Sequence, residues 1–151
     1  MTNYHDNLPK KRMAAGALLF DSEGKILLVK PTYKEHWEIP GGVIELDESP
    51  LDACKREILE ELSLRVAPTD LLCIDYGAAT AEKSESLQFV FDGGQLSQKE
   101  IGTIHLQENE LSGFQFVDSQ KAEQLLSGSL AKRVLKALAV KSNAENPYIE
   151  H

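Results

Sequence analysis

Two apolar runs, residues 13–20 and 26–29, flank the polar tetrad Asp21-Ser22-Glu23-Gly24. Strand-length apolar runs on either side of a Gly-bearing turn predict a β-hairpin. A short strand is expected at 36–39, ahead of Pro40-Gly41-Gly42. From 49 to 62 the period lengthens. At about 100° per residue, Leu51, Cys54, Ile58 and Leu62 fall within one arc of about 80°, the stripe of an amphipathic helix. Apolar runs at 71–77 and 87–91 read as further strands, the second stopped by Asp92-Gly93-Gly94. A strand at 114–117 precedes two helices, 119–126 and 130–140. Strands and helices alternate without a strict βαβ period, which predicts an α/β (α+β) fold with a mixed β-sheet between helices. Residues 1–11 are polar and read as a flexible arm, 12–141 as one domain, and 142–151 as a polar, frayed tail.

The helix at 49–62 carries the chemistry. Ser49 suits its N-cap, Pro50 its first turn, and Asp52 the acid position of a capping box. With Glu57 at zero on the wheel, Glu60 falls near 300° and Glu61 near 40°, so three acids share an arc of about 100° beside the apolar stripe. They occupy the later turns, where the helix dipole disfavours negative charge. A cluster that opposes local preference marks a functional site, and a hard divalent cation with oxygen ligands is its natural partner.

The spacing around the cluster is more specific than the cluster. Gly42, Glu48, Arg56-Glu57, Ile58, Glu60-Glu61, Ser63 and Leu64 resemble the Nudix box, G-x5-E-x7-R-E-U-x-E-E-x-G-U with U apolar. Ser63 stands where that pattern has Gly. Trp37-Glu38-Ile39-Pro40-Gly41-Gly42 and the hairpin also resemble the lead-in of Nudix (MutT-like) hydrolases. The resemblance implies a Nudix-type α/β/α sandwich. It implies metal binding by Glu57, Glu60 and Glu61, one of them doubling as base, and by the Gly41 carbonyl, with Glu48 and Arg56 as a structural ion pair between loop and helix. Relatives place a further carboxylate in a later loop, where Glu108 and Glu110 are the candidates. The Gly position at Ser63 ends the helix, often in a left-handed conformation, so Ser63 bears on the helix end and not on the chemistry. Asp47 replaces a frequent Gly before Glu48, which re-aims or stiffens that loop.

Net charge −8 opposes wrapping of a nucleic-acid polymer. It allows a small anionic substrate if cations lie between. No apolar run reaches membrane-spanning length. Cys54 and Cys73 read as buried thiols in a reducing, cytoplasmic setting. His5, His36, His105 and His151 share no metal-ligand spacing and read as incidental.

Trp37 and Phe116 are candidates for contact with a substrate base, and Lys30 and Lys34 for a phosphate. Tyr33 sits near the same expected cleft entrance. The resemblance implies an Mg²⁺-dependent (or Mn²⁺-dependent) pyrophosphohydrolase acting on a nucleoside diphosphate linked to another moiety, first a (d)NTP or oxidised dNTP. An ADP-ribose or nucleotide-sugar pyrophosphatase is the alternative, although the proline such ADP-ribose enzymes carry beyond the box is absent and Ala79-Thr80-Ala81 stand there. A non-catalytic Nudix ligand-sensing domain is the alternative of another class. Monomer and homodimer remain open.

Overall fold

The computed structural model describes residues 3–151. Its elements are β1 (Arg12–Phe20), β2 (Ile26–Pro31), β3 (Gly41–Val43), α1 (Pro50–Leu62), β4 (Leu71–Gly77), β5 (Ser86–Gln95), α2 (Gln98–Gly102), β6 (Leu111–Val117), α3 (Ser119–Leu125), α4 (Gly128–Asn143) and β7 (Tyr148–Glu150). The sheet runs β6-β2-β1-β5-β4-β7, with β3 paired to β1 off this path. β1–β5 and β4–β7 are parallel and the other pairs antiparallel, so the sheet is mixed.

β1 and β2 are apolar on both faces because helices cover both. Ala15, Ala17, Leu19, Leu27 and Val29 face α1 with Ala53, Cys54, Ile58 and Leu62. Leu18, Phe20, Ile26 and Leu28 face the other way, against Ala122 of α3 and Ala131, Val134 and Ala137 of α4. The alternation is the two-residue period of a strand written twice. Cys54 and Cys73 are free and buried in the two different cores. Burial pushes their thiols up to about 12 and about 11, which leaves both in the unreactive protonated form.

The sheet opens between β1 and β2. They pair only at Phe20 and Ile26 beside the turn. Farther along, Glu38 bridges Val29, Ala17 N–H donates to Pro40 O at 3.1 Å, and β3 pairs with Ala14–Gly16. The chain from 38 to 43 is wedged into the split. The short strand expected at 36–39 is therefore displaced: Trp37 and Glu38 make single bridges, and the strand is Gly41–Val43.

Three further expectations change. Asp92-Gly93-Gly94 does not stop β5, which runs to Gln95 through a register shift against Leu18 and Leu19. Buried Asp92 is held there by Lys141 at 2.5 Å and accepts from Gly94 N–H at 2.9 Å. The short α2 is an addition, closed by a capping box between Ser97 and Glu100; at α1 only the Ser49 half is made, the Ser49 hydroxyl accepting from Asp52 N–H at 3.1 Å. The tail is not frayed along its length: β7 adds to the edge of β4, and His151 reaches buried Asp75 at 2.6 Å. At the other end, residues 3–11 are exposed, with one 3-10 turn at Tyr4–Asn7. Residues 1 and 2 of the expected arm lie outside the described residues.

Candidate active site

α1 begins at the Ser49 cap and ends at Ser63, which takes the left-handed conformation (φ 60°, ψ 30°). The box position filled by Gly in the family pattern thus keeps its backbone shape with Ser. The Ser63 hydroxyl donates to His105 O at 3.1 Å. His105 N–H and Gln107 N–H donate to Leu62 O and Glu61 O at 3.1 and 3.0 Å. These bonds satisfy carbonyls that a helix end leaves open, and they draw the loop that follows α2 against α1. Thr32 fixes the other side of that loop, its N–H on Glu110 O at 2.9 Å and its hydroxyl on Asn109 O at 2.8 Å.

The result is a cavity of about 170 Å³ lined by Glu57, Glu61, Glu110, Glu38, Gly41 and Gly42, among others. Glu61 is 8% exposed and accepts from Gly41 N–H at 2.9 Å. Burial pushes its carboxyl up to about 8, against the opposing pull of the Gly41 N–H and with the charges of Glu57, Glu38 and Glu60 adding. Glu57 is also raised by burial, with the Arg56 hydrogen bond pulling the other way. Its carboxylate lies against Gly42, where a Cβ would come within 2.5 Å of it. Gly41 has φ +152°, and a Cβ there would meet Ala15 O at 2.4 Å; only glycine fits such an approach of two backbones.

Arg56 grips Glu48 with two nitrogens, Nε at 2.7 Å and Nη2 at 2.9 Å. It also donates to Val43 O at 3.0 Å and to Glu57 at 3.0 Å. Arg56, then the Glu45 N–H, hold the Glu48 carboxyl down at about 2. Asp47 beside it sits at φ 59°, the conformation for which glycine is favoured. The Glu48–Arg56 pair thus ties the loop to the helix.

Not every candidate converges. The Glu60 side chain is 47% exposed and meets only Arg56, at 3.4 Å. Neither Glu60 nor Glu108 lines the cavity. Among the described residues, no three His, Cys, Asp or Glu form a ready metal-holding group. Each box acid has its own local partner instead, Glu61 on Gly41 and Glu57 and Glu60 on Arg56. The donor set nevertheless fits a hard divalent cation: it is all oxygen, and Glu61 is a buried carboxyl with only an amide N–H for company.

A second cavity of about 330 Å³ adjoins the first, sharing Tyr33, Glu38, Gly41 and Gly42. Lys34 lines it and pairs with Glu38 at 2.6 Å. Lys30 does not; its Nζ donates to Pro31 O at 2.9 Å and to Lys34 O, closing the turn after β2. Trp37 packs on the core beneath α3 and α4. Phe116 packs on the α1 side, edge-on to Phe114 at 6.4 Å. Neither aromatic lines either cavity: strand alternation turns Phe116 toward α1, and the bridge to Leu126 seats Trp37 on the opposite core. The second cavity is walled instead by Gln88, Phe89, Leu130 and Arg133. These come from β5 and α4, far from the box in the chain, and no local spacing marks them. Gln107 and Glu38 in the first cavity were likewise unmarked.

Residues 10–138 match the family model described as NUDIX domain, and the chain belongs to that family. Part of it is similar to a MutT-like protein of Streptomyces ambofaciens, 33% identical over 63 residues that make up 42% of this chain and 41% of that protein. An RNA pyrophosphohydrolase of Psychrobacter cryohalolentis is 35% identical over 63 residues, 42% of this chain and 36% of that protein. The match thus spans less than half the length of these curated relatives. Among solved structures, the MutT protein from Methanosarcina mazei Go1 aligns with a TM-score of 0.72 at 20% identity, over 93% of this chain and 100% of that one; what is shared there is the fold. Among the described residues no helix is long and apolar enough to cross a membrane.

Proposed function

We propose that the chain is an Mg²⁺-dependent pyrophosphohydrolase, with Mn²⁺ able to serve, that cleaves a nucleoside diphosphate linked to another moiety, a (d)NTP or oxidised dNTP first. One observation carries this reading: Glu57, Glu61 and Glu110 line one cavity with Gly41-Gly42, and a larger cavity opens from the same glycines. The small acidic cavity suits cations and a diphosphate; the larger one, with apolar walls and Gln88, suits a nucleoside. Glu57, Glu61 and Glu110 would hold the cation, with the exposed Glu60 at the margin. When bound, a divalent cation neutralises diphosphate charge and acidifies water.

The chain's own residues do the rest. Arg56 and Glu48 fix the loop that carries Gly42-Val43, so the floor under the diphosphate is rigid. Burial pushes the Glu61 carboxyl up to about 8 with no cation beside it; a bound cation would draw it down, so Glu61 serves as an ionised ligand. The buried position of Glu61 under Gly41 keeps bulk water from that side. The test is a panel of NTPs, oxidised dNTPs, ADP-ribose, nucleotide sugars and dinucleotides with Mg²⁺, followed by phosphate and nucleotide release. Turnover is expected in the (d)NTP group. Turnover confined to ADP-ribose or nucleotide sugars overturns the substrate class, and tight binding without turnover of any member overturns the hydrolase in favour of a ligand sensor.

A further inference from the structure

The nucleoside-sized cavity does not end at α4. Gln88 and Arg133 line it and also line a third cavity of about 490 Å³. That cavity gathers Arg12, Lys83, Arg133 and His151, and Asp75 is the one acid on its wall. In a chain of net charge −8, three permanently cationic side chains against one acidic side chain make a locally positive hollow.

The hollow is built rather than incidental. Asp75 is 1% exposed; one of its oxygens accepts from Arg133 Nε at 2.9 Å and the other meets His151 Nδ1 at 2.6 Å. The carboxylate is therefore committed to two basic partners. The terminal nitrogens of Arg133 make no hydrogen bond among the described residues, and no unpartnered side-chain nitrogen or oxygen there is buried. They are open to the cavities Arg133 lines. Arg12 is aimed by Ser84, through Nε at 2.9 Å to the hydroxyl and Nη2 at 2.6 Å to the carbonyl. Lys83 has no carboxylate partner among the described residues. Glu85 nearby in the chain is taken by Lys11 and by the Tyr76 hydroxyl and does not line the cavity. His151 is held by β7 pairing, its N–H on Tyr76 O at 2.9 Å and its carbonyl accepting from Ala78 N–H at 3.1 Å.

We propose that this hollow is a subsite for a phosphate on the ribose 3′-oxygen of the substrate, as a monoester or as a phosphodiester to a further nucleotide. The proposal rests on the reading above, in which the acidic cavity takes the 5′-diphosphate and the neighbouring cavity the nucleoside. In this placement the ribose 3′-oxygen would face Gln88 and Arg133, the residues that the two cavities share. Guanidinium groups are the side chains best shaped for phosphate oxygens; Arg133 offers both terminal nitrogens, Arg12 the one that Ser84 leaves over, and Lys83 adds a point charge.

The experiment measures binding without turnover, so its failure is distinct from failure of the hydrolase reading. Calorimetry with Mg²⁺ compares an α,β-methylene nucleoside diphosphate, which cannot be cleaved, with the same compound carrying a 3′-phosphate, in adenosine and guanosine series. A third compound extends the 3′-phosphate as a diester to a second nucleoside. The 3′-phosphate is expected to lower Kd by about tenfold or more. In the double variant Arg12→Gln, Lys83→Gln, with an unchanged melting temperature, that ratio should fall toward one. A gain with the monoester alone marks a terminal phosphate, and an equal gain with the diester marks an oligonucleotide end; either supports the subsite. Equal affinity with and without the 3′-phosphate, no binding by any compound, or a gain that survives in the double variant overturns it.

Discussion

On α1, three glutamates within five positions meet three different environments, and the helical angle of each decides which. Glu61, nearest the apolar stripe on the wheel, is 8% exposed. Glu57, next, has a side chain 18% exposed, and Glu60, farthest round, 47%. The order was legible in the sequence, because an acid beside the stripe must follow it into the core. The glycines that meet Glu61 and Glu57 were not, since Gly41 and Gly42 arrive from a strand wedged into the sheet, whereas Glu60 keeps to Arg56 one turn back. Gly42→Ala tests that contact. A Cβ there would fall 2.5 Å from the Glu57 carboxylate, a flexible group that can move aside. Stability is therefore expected to change by about 1 kcal/mol or less, while turnover falls by about 10- to 100-fold as Glu57 is re-aimed. A melt beside a nucleotide-hydrolysis assay reads both; unchanged turnover contradicts the placement of Glu57.

Glu61 makes a second prediction at this scale. Its folded carboxyl, near 8, lies above the ordinary value of 4.5. Between those values the folded protein holds a proton that the unfolded chain releases, so stability in chelator falls as pH rises from about 5 to about 8. Glu61→Gln removes the titrating group and should flatten that slope. Melting temperatures in EDTA across this range check it, and parallel curves for variant and wild type contradict it. Glu48 has the opposite sign: its depressed carboxyl contributes fully above the ordinary range and is lost as pH falls toward about 2.

Elements whose pattern is local were legible and elements made by a partner were not. The hairpin and α1 announce themselves by period, turn and cap. β3 has three residues, two of them glycine, and is a strand because β1 stands beside it in the split sheet. β7 is also three residues, and it forms because β4 offers an edge and Asp75 a seat for His151. The histidine thus has a structural partner that spacing alone did not reveal. The α2 capping box, Ser97 and Glu100, was present in the sequence as a readable start signal. At the end of α1, Ser63→Gly balances small terms. Strain at φ 60° is relieved by about 1 kcal/mol, a hydrogen bond to His105 O worth about 1 kcal/mol is lost, and the unfolded chain gains freedom. A net shift within about 1 kcal/mol by thermal melting, with turnover unchanged, is expected. A large loss of turnover would make Ser63 part of the chemistry.

Across the whole molecule, acid and base are segregated along three cavities that share lining residues in turn. Glu57, Glu61 and Glu110 lie at one end, Arg12, Lys83 and Arg133 at the other, with a nucleoside-sized cavity between. Net charge says only that cations must accompany an anionic substrate; the box spacing says where to look for them. The distribution of the remaining basic residues depends on β5, α4 and β7 meeting, which no single stretch of sequence records. If the acidic end works by holding a divalent cation, nucleotide hydrolysis in EDTA, Mg²⁺, Mn²⁺ and Zn²⁺ by the wild type and Glu57→Gln will show it. No turnover is expected in EDTA, recovery with Mg²⁺ or Mn²⁺ because hard oxygen ligands select these ions, and a loss of about 100-fold or more in the variant at saturating Mg²⁺. Full activity in EDTA, a requirement for Zn²⁺, or near-normal turnover by Glu57→Gln would contradict it.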